Sequence, residues 1–199
     1  METTEQRRKG KTWNNMRKQK VSTTEQALIC LPYLTEPSRE WLESQSKPSK
    51  IQGKEVPEDF NHLSIGDLTE IEEAAKKGER EGLIVLGRVL LGLTETQVLK
   101  APCDKMFGLL RWATSEVERI AALFKAIAIP PKPDEIRAGA DKLNFGIFGT
   151  LDWYALRMGI TDHDQVAKVP WLVVYQCQKN DNEKYLYQER LMDIKTSKK

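Results

Sequence analysis

The feature that most constrains the fold of this chain is an apolar repeat that recurs every three or four residues through the middle of the sequence. Its members are Met106, Leu109, Leu110, Ala113, Val117, Ile120, Ala121, Phe124 and Ile127. This spacing places the apolar side chains on one side of a helix and predicts a long amphipathic helix with one buried face. Pro130, Pro131 and Pro133 end the helix, because proline cannot continue one.

Shorter helices are predicted on the N-terminal side of this repeat. Ser64 is a candidate N-cap for a helix that begins at Ile65, and Thr94 is a candidate N-cap for Glu95–Lys100. The apolar run Leu83–Leu91 fits a buried strand or a helix by its periodicity alone. Its helical neighbours on both sides favour a helix.

Further helices are predicted after the prolines. The predicted segments are one from Asp134 through about Ala140, one over Leu151–Met158 with Thr150 as its cap, a short one capped by Asp162, and a longer one that follows Pro170. Gly159 is expected to end the second of these. The glycines of Phe145–Gly149 are interpreted as structural, because no Lys-Ser or Lys-Thr pair follows them as in a phosphate-binding loop.

These elements together predict a mainly α protein, a small multi-helix domain with a basic N-terminal arm. A length of 199 residues with 40% hydrophobic content fits one domain with tails. We place the helical domain at residues 56–195, an irregular segment with one short helix at 25–55, and a polar tail at 196–199. No apolar run approaches the roughly 20 residues that a membrane-spanning helix needs, so no membrane contact is expected.

Residues 1–24 form the predicted arm and differ from the rest of the chain in charge. They carry seven basic residues against Glu2 and Glu5, although the whole chain has a formal net charge of only +2. With so few apolar residues the arm cannot offset its ordering entropy, which predicts disorder. Its candidate role is contact with nucleic acid or an acidic protein face, and the alternative is a solubilising tail. The basic residues are Arg7, Arg8, Lys9, Lys11, Arg17, Lys18 and Lys20.

The cysteines and histidines give no metal signature. Cys30, Cys103 and Cys177 form no CxxC pair, and His62 and His163 have no HExxH spacing. An odd number of isolated cysteines favours free thiols in a reducing compartment. We therefore predict no metal site and no cofactor.

The segment around His163 suggests two hypotheses, a catalytic site and a DNA-binding helix-turn-helix. Asp162 and Asp164 flank this histidine, but a general base also needs a nucleophile or substrate within reach, and Asp162 already serves as a cap. The helices around Gly159 have the length of a helix-turn-helix, yet Pro170 interrupts the second helix and the two aspartates oppose DNA contact. No catalytic residue is predicted, and the chain is not expected to be an enzyme.

Three large aromatic residues in the C-terminal half are candidate partner-binding residues. They are Trp153, Tyr154 and Trp171. Tryptophan and tyrosine are common both at protein interfaces and in cores. Core packing is expected for at least one tryptophan, and the others are predicted to anchor a partner.

About half of the chain, roughly residues 105–191, resembles small phage tail-morphogenesis proteins of the tail assembly chaperone type. The resembling segments are Glu116–Phe124, Ile129–Pro131, Ala138–Gly139, Leu143–Gly149, Asp152–Gly159, Val169–Trp171 and Tyr187–Leu191. The shared pattern is a cluster of short helices with an acid-aromatic pair before a glycine, followed by a closing helix. The basic arm and residues 25–60 lie outside the resemblance.

This resemblance implies a mostly helical, non-catalytic protein of phages or prophages that binds other tail or structural proteins during assembly. It implies a location in the cytoplasm of the bacterial host or in the virion. A virion-associated protein of the same phages would have a similar appearance, and a homo-oligomer is possible. The alternative function is a nucleic-acid-binding module that uses the basic arm.

Overall fold

The structure is a computed structural model that describes residues 23–33, 36–143 and 145–197. The described residues are mainly helical, with one two-stranded antiparallel hairpin, which confirms the predicted fold class. The predicted arm lies outside the described residues except for Thr23 and Thr24. The chain divides into two compact units, which are described separately below.

Unit 1 comprises the described residues of Met1–Asp59 together with Glu70–Val117. Its elements are α1 (Thr24–Cys30), a 3-10 turn (Leu31–Tyr33), α2 (Glu36–Glu43), β1 (Lys50–Ile51), β2 (Lys54–Glu55), most of α3 (Ile65–Lys77), α4 (Glu79–Leu91), α5 (Glu95–Lys100) and the first part of α6 (Cys103–Ile127). In the hairpin Lys50 lies opposite Glu55. The long helix predicted from the apolar repeat is α6, and its end at Ile127 precedes the predicted proline stop.

Local capping signals explain where several helices of unit 1 begin. Thr94 accepts a hydrogen bond from the Gln97 N–H, and the Gln97 side chain accepts one from the Thr94 N–H, so this pair forms a capping box. Thr23 and Gln26 form the same arrangement at α1. The helix favoured for Leu83–Leu91 is present as part of α4.

The segment predicted to be irregular, residues 25–55, contributes to the core of unit 1. Ala27, Leu42 and Ile51 are fully buried, and the Thr24 hydroxyl donates a hydrogen bond to the Ala101 carbonyl at 2.9 Å. The prediction that the folded region starts near Val56 is therefore wrong, since the segment from Thr24 to Glu55 is also part of the fold. Contacts with residues far along the chain order this segment, and its local composition does not report them.

Unit 2 comprises Phe60–Thr69 and the described residues of Glu118–Lys199. Its elements are residues 65–69 of α3, residues 118–127 of α6, α7 (Pro133–Arg137), a 3-10 turn (Ala140–Lys142), α8 (Gly146–Met158), α9 (His163–Ala167) and α10 (Trp171–Thr196). The predicted domain at 56–195 is thus divided between two units, and each unit is built from separate stretches of sequence.

Two distant segments of unit 2 pair through their backbones. Ser64 and Pro170 form an antiparallel bridge, the Ile65 N–H donates to the Val169 carbonyl at 2.9 Å, and the Trp171 N–H donates to the Leu63 carbonyl at 3.1 Å. Ser64 also caps α3, as predicted, because its Oγ accepts a hydrogen bond from the Asp67 N–H. The start of α3 is therefore fixed both by its cap and by the segment that leads into α10.

The start of α8 differs from the prediction. The helix begins at Gly146 rather than after Thr150, so Thr150 lies within it. The apolar residues before Thr150 continue the helical turn, and a threonine inside a helix has no capping role. Gly159 ends α8 with a φ of 67°, and Asp162 caps α9, as predicted.

Candidate partner-binding surface

Two of the three predicted anchors are packing residues of unit 2. Trp171 is 0% exposed and Tyr154 is 3% exposed, so neither offers a surface to a partner in the folded chain. Trp153 is half-buried and packs against the buried residues around Tyr154, with its ring 6.1 Å from that of Tyr154. Partner binding stays a prediction for Trp153, whereas the other two are corrected to core residues.

Trp171 is the central contact of one side of unit 2. Its indole Nε1 donates a hydrogen bond to the Phe60 carbonyl at 2.8 Å. Its ring lies 6.2 Å from both Phe124 and Tyr175, and the Arg119 guanidinium lies 5.8 Å from its centre. A buried tryptophan whose N–H is hydrogen-bonded gains both its apolar area and its polar contact within the fold.

A second cluster joins α8, α9 and α10. Its buried members are Tyr154, Ala155, Val166 and Val174. Burial raises the pKa of the Tyr154 phenol above its usual value, and nearby Cys177 raises it further. Arg157 clamps α8 to α10, because its Nε donates to Asp181 Oδ2 at 2.9 Å. These contacts fix the orientation of α8 and leave its opposite side facing solvent.

Exposed apolar side chains are concentrated in unit 2. Among the described residues, fifteen large apolar side chains are exposed, and fourteen of them lie between Ile136 and Ile194. Ile29 of α1 is the remaining one. Scattered exposed apolar residues are ordinary on a protein surface, but a concentration of them marks an interaction surface.

The outer side of α8, together with its N-cap residue Phe145, presents three strongly exposed residues in a row. Phe145, Phe148 and Leu156 are spaced three and eight positions apart, so they share one side of the helix, with Asp152 between them. Their exposed fractions are 68%, 60% and 77%. We call the three apolar residues the α8 stripe. Its length and its two phenylalanines give it the character of a protein-binding surface.

Gly149 allows the α8 stripe to form as it does. A Cβ atom at this position would lie 2.8 Å from the Cβ of Phe145, so the Phe145 side chain occupies the space that a larger residue would need. This contact agrees with the structural role predicted for the glycine. In the sequence, the spacing of Phe145, Phe148 and Leu156 is the signal that indicates the stripe.

His163 lies beside the α8 stripe. Its ring is 5.1 Å from that of Phe148, and its Nε2 is 3.5 Å from Asp152 Oδ1. Asp162 caps α9 through the Asp164 N–H, as expected, so it does not orient the imidazole. The histidine ring extends the apolar surface of the stripe towards α9, while its Nε2 is buried and neither accepts nor donates a hydrogen bond among the described residues.

Neither a metal site nor a membrane-spanning helix is found among the described residues. In the part of the chain that the structure describes, no group of three or more His, Cys, Asp or Glu side chains is placed to hold a metal ion. None of the three cysteines forms a disulfide among the described residues, and Cys103 is buried. Within the same residues, no helix combines the length and apolar character that crossing a bilayer requires.

A salt bridge holds the C-terminal half of α10 to the chain that precedes α7. The Lys132 ammonium donates to Glu189, which also accepts from the Tyr185 hydroxyl at 3.2 Å. The hydrogen bond from Lys132 lowers the pKa of Glu189 below its ordinary value of 4.5, and the same bond raises the pKa of Lys132.

We expect this pair to make stability depend on pH in a defined window. Because the folded pKa of Glu189 is lowered, its stabilising effect is present above pH 4.5 and is lost as the pH falls through the folded pKa. The folded pKa of Lys132 is raised above 10.5. Its stabilising effect is therefore present below pH 10.5 and is lost as the pH rises through the folded pKa. The thermal midpoint of Glu189→Gln should therefore lie below that of the wild type at neutral pH and approach it in acid. A constant difference down to pH 3 would contradict this assignment.

The seven basic residues of the predicted arm lie outside the described residues, so their role stays a prediction.

The helix that follows Gly159 is too short for the helix-turn-helix motif. In this region α9 has five residues, His163–Ala167, and α10 begins only at Trp171. A five-residue helix is too short to lie along a major groove and read bases, which argues against that motif.

Comparison of this chain with protein-family models, with curated proteins and with solved structures finds no match. The residues of the α8 stripe present an exposed apolar face on a helix whose opposite face is anchored in a core.

Proposed function

We propose that this protein acts without catalysis, by binding other proteins, as an assembly factor of the phage-morphogenesis type. The α8 stripe is the observation that carries this proposal. Phe145, Phe148 and Leu156 expose apolar side chains along one side of α8, while its other side is fixed by Tyr154 and by the Arg157–Asp181 pair. A rigid apolar face binds a partner with little loss of entropy on ordering.

The resemblance of residues 105–191 to tail assembly chaperones supports the choice of partner. The α8 stripe lies within two of the resembling segments, Leu143–Gly149 and Asp152–Gly159. We therefore propose tail or other structural proteins of a phage or prophage as the partners, in the bacterial cytoplasm or in the virion.

The experiment is affinity capture from host cells that carry the phage or prophage, with the tagged full chain and a stripe variant. We expect Phe145→Ser/Leu156→Ser to lose at least about 90% of the tail protein that the wild type recovers, since central apolar contacts dominate such interfaces. Both side chains are exposed, so the free energy of unfolding should change by less than about 0.5 kcal/mol.

Ile29→Ser is the matched control, because Ile29 is also exposed but lies in unit 1. This variant should recover as much tail protein as the wild type. Equal recovery by the stripe variant would contradict the role of α8. Recovery of nucleic acid alone, lost at high salt, would instead favour the nucleic-acid-binding alternative through the basic arm.

A further inference from the structure

The helix α10 has one side that is fixed to unit 2 along most of its length. Trp171 is buried at its start, and the Asn182 side chain donates to the Ile127 carbonyl at 2.7 Å near its middle. Glu189 pairs with Lys132 two turns later. These three contacts fall on the same side of the helix, so the opposite side faces solvent.

The solvent-facing side of α10 carries a seven-residue repeat. Its members, which we call the α10 seam, are Asn180, Lys184, Tyr187, Leu191 and Ile194. The spacings of four and three alternate, as in the contact positions of a coiled coil. Tyr187 and Ile194 are exposed and Leu191 is half-buried, so the seam, about 21 Å long in all, offers an apolar row of about 10 Å to a second helix.

The charges beside the seam indicate which helix would fit. Glu183 and Arg190 lie along one edge, seven residues apart, and both are exposed. Glu183 has one exposed ion-pair contact within its own helix, with Lys179 at 4.0 Å, and such a contact contributes little. In an antiparallel pair of identical helices this edge faces itself, so Glu183 of each copy meets Arg190 of the other.

A parallel arrangement of two copies is disfavoured by the same charges. In a parallel pair this edge faces the opposite edge of the other helix, which carries Gln188 and Lys195. Arg190 would then face Lys195, and Glu183 would face an uncharged glutamine. Only the antiparallel orientation gives two attractive pairs, which are related by the twofold axis.

The antiparallel register is also fixed by the seam itself. The alignment that pairs Glu183 with Arg190 places Lys184 beside Tyr187 of the second copy, where the ammonium can lie against the ring. Moving the helices by one repeat brings Arg190 against Arg190 of the second copy. The polar residues Asn180 and Lys184 lower affinity but specify register, as single polar residues do in coiled coils.

We propose that this chain forms a weak homodimer in which α10 pairs antiparallel with α10 of a second copy through the α10 seam. The helix is already folded and anchored on its inner side, so pairing requires no ordering of a free peptide. Two polar residues among five seam positions lead us to expect a micromolar dissociation constant. The proposal concerns a different helix from the α8 stripe and does not depend on the proposed function.

The test is sedimentation equilibrium of the full chain at low salt, over a micromolar concentration range. Each single charge reversal, Glu183→Arg or Arg190→Glu, replaces two attractive pairs with two repulsive ones. We expect each to raise the dimer dissociation constant about tenfold or more. The double variant Glu183→Arg/Arg190→Glu restores opposite charges across the pair and should return within about threefold of the wild type.

The double variant serves as the matched control, because it contains both substitutions and has the net charge of the wild type. Far-UV circular dichroism should show the same helix content in all four proteins, since both residues are exposed. A wild-type chain that remains monomeric throughout the range would overturn the proposal. A dimer that tolerates both single reversals, or a double variant as weak as the singles, would also overturn it. None of these outcomes bears on capture of a partner by the α8 stripe.

Discussion

Replacing Trp171 with alanine is expected to destabilise unit 2 by about 3–5 kcal/mol, because a fully buried tryptophan leaves a large cavity when it is truncated. The loss includes its contacts with Phe124 and Tyr175 and its hydrogen bond to the Phe60 carbonyl. Urea denaturation followed by far-UV circular dichroism measures the change. This loss is a large fraction of the stability of an ordinary domain.

Trp171→Phe separates the polar contribution from the packing contribution. Phenylalanine retains most of the ring contacts but donates no hydrogen bond, and the Phe60 carbonyl still accepts one from the Leu63 N–H. We therefore expect a smaller loss of about 1–2 kcal/mol. The exposed neighbour Leu172 is the control, and Leu172→Ala should change stability by less than about 0.5 kcal/mol. A Trp171→Ala variant as stable as this control would contradict the central role of the tryptophan.

Gly108→Ala is expected to destabilise unit 1 by about 2 kcal/mol, although alanine is the better helix former. A Cβ atom on Gly108 would lie 2.2 Å from the Ser46 carbonyl oxygen, so the backbone of residues 44–49 would have to move. That segment is held in place, because Lys47 donates to the Glu58 carbonyl and lies 4.0 Å from the centre of the Trp112 ring. The steric cost therefore exceeds the gain in helix propensity.

Gly82→Ala is the matched substitution inside another helix of the same unit. A Cβ atom there would meet its nearest neighbour, Ala75 Cα, at 3.7 Å, which is an ordinary contact. We expect this variant to gain about 0.5–1 kcal/mol, since alanine restricts the unfolded chain and favours the helix. Thermal denaturation of both variants gives the comparison. Equal effects of the two substitutions would contradict the close approach of Ser46 to α6.

Helices whose signals are local were predictable from the sequence. Thr94 and Ser64 cap their helices as predicted, and the apolar repeat from Met106 to Ile127 forms one continuous helix. In each case the deciding interactions lie within a few residues of each other. The predicted start of α8 was wrong. Thr150 has a hydroxyl that could cap a helix, but the turn before it is already helical and has no side-chain cap.

The burial of particular residues was not predictable in the same way. Ile51 and Leu42 lie in a segment whose composition is typical of a linker, yet both are buried in unit 1. Tryptophan is common at interfaces, and this residue type alone does not show that Trp171 is buried. Its burial involves a hydrogen bond to Phe60, which is 111 residues away in the sequence. Sequence spacing shows that Phe145, Phe148 and Leu156 share a side of a helix. It does not show which side of that helix is covered.

The pairing of Leu63 and Ile65 with the segment that leads into α10 has a consequence for synthesis of the chain. About a hundred residues separate the two segments, so at ordinary translation rates the first waits roughly 5–20 s for its partner. During that interval Phe60 and Leu63 have no native core to enter, and α3 has one of its two ends unsupported. Unit 2 is therefore completed late, after Trp171 has left the ribosome, and the nascent chain exposes an apolar segment until then.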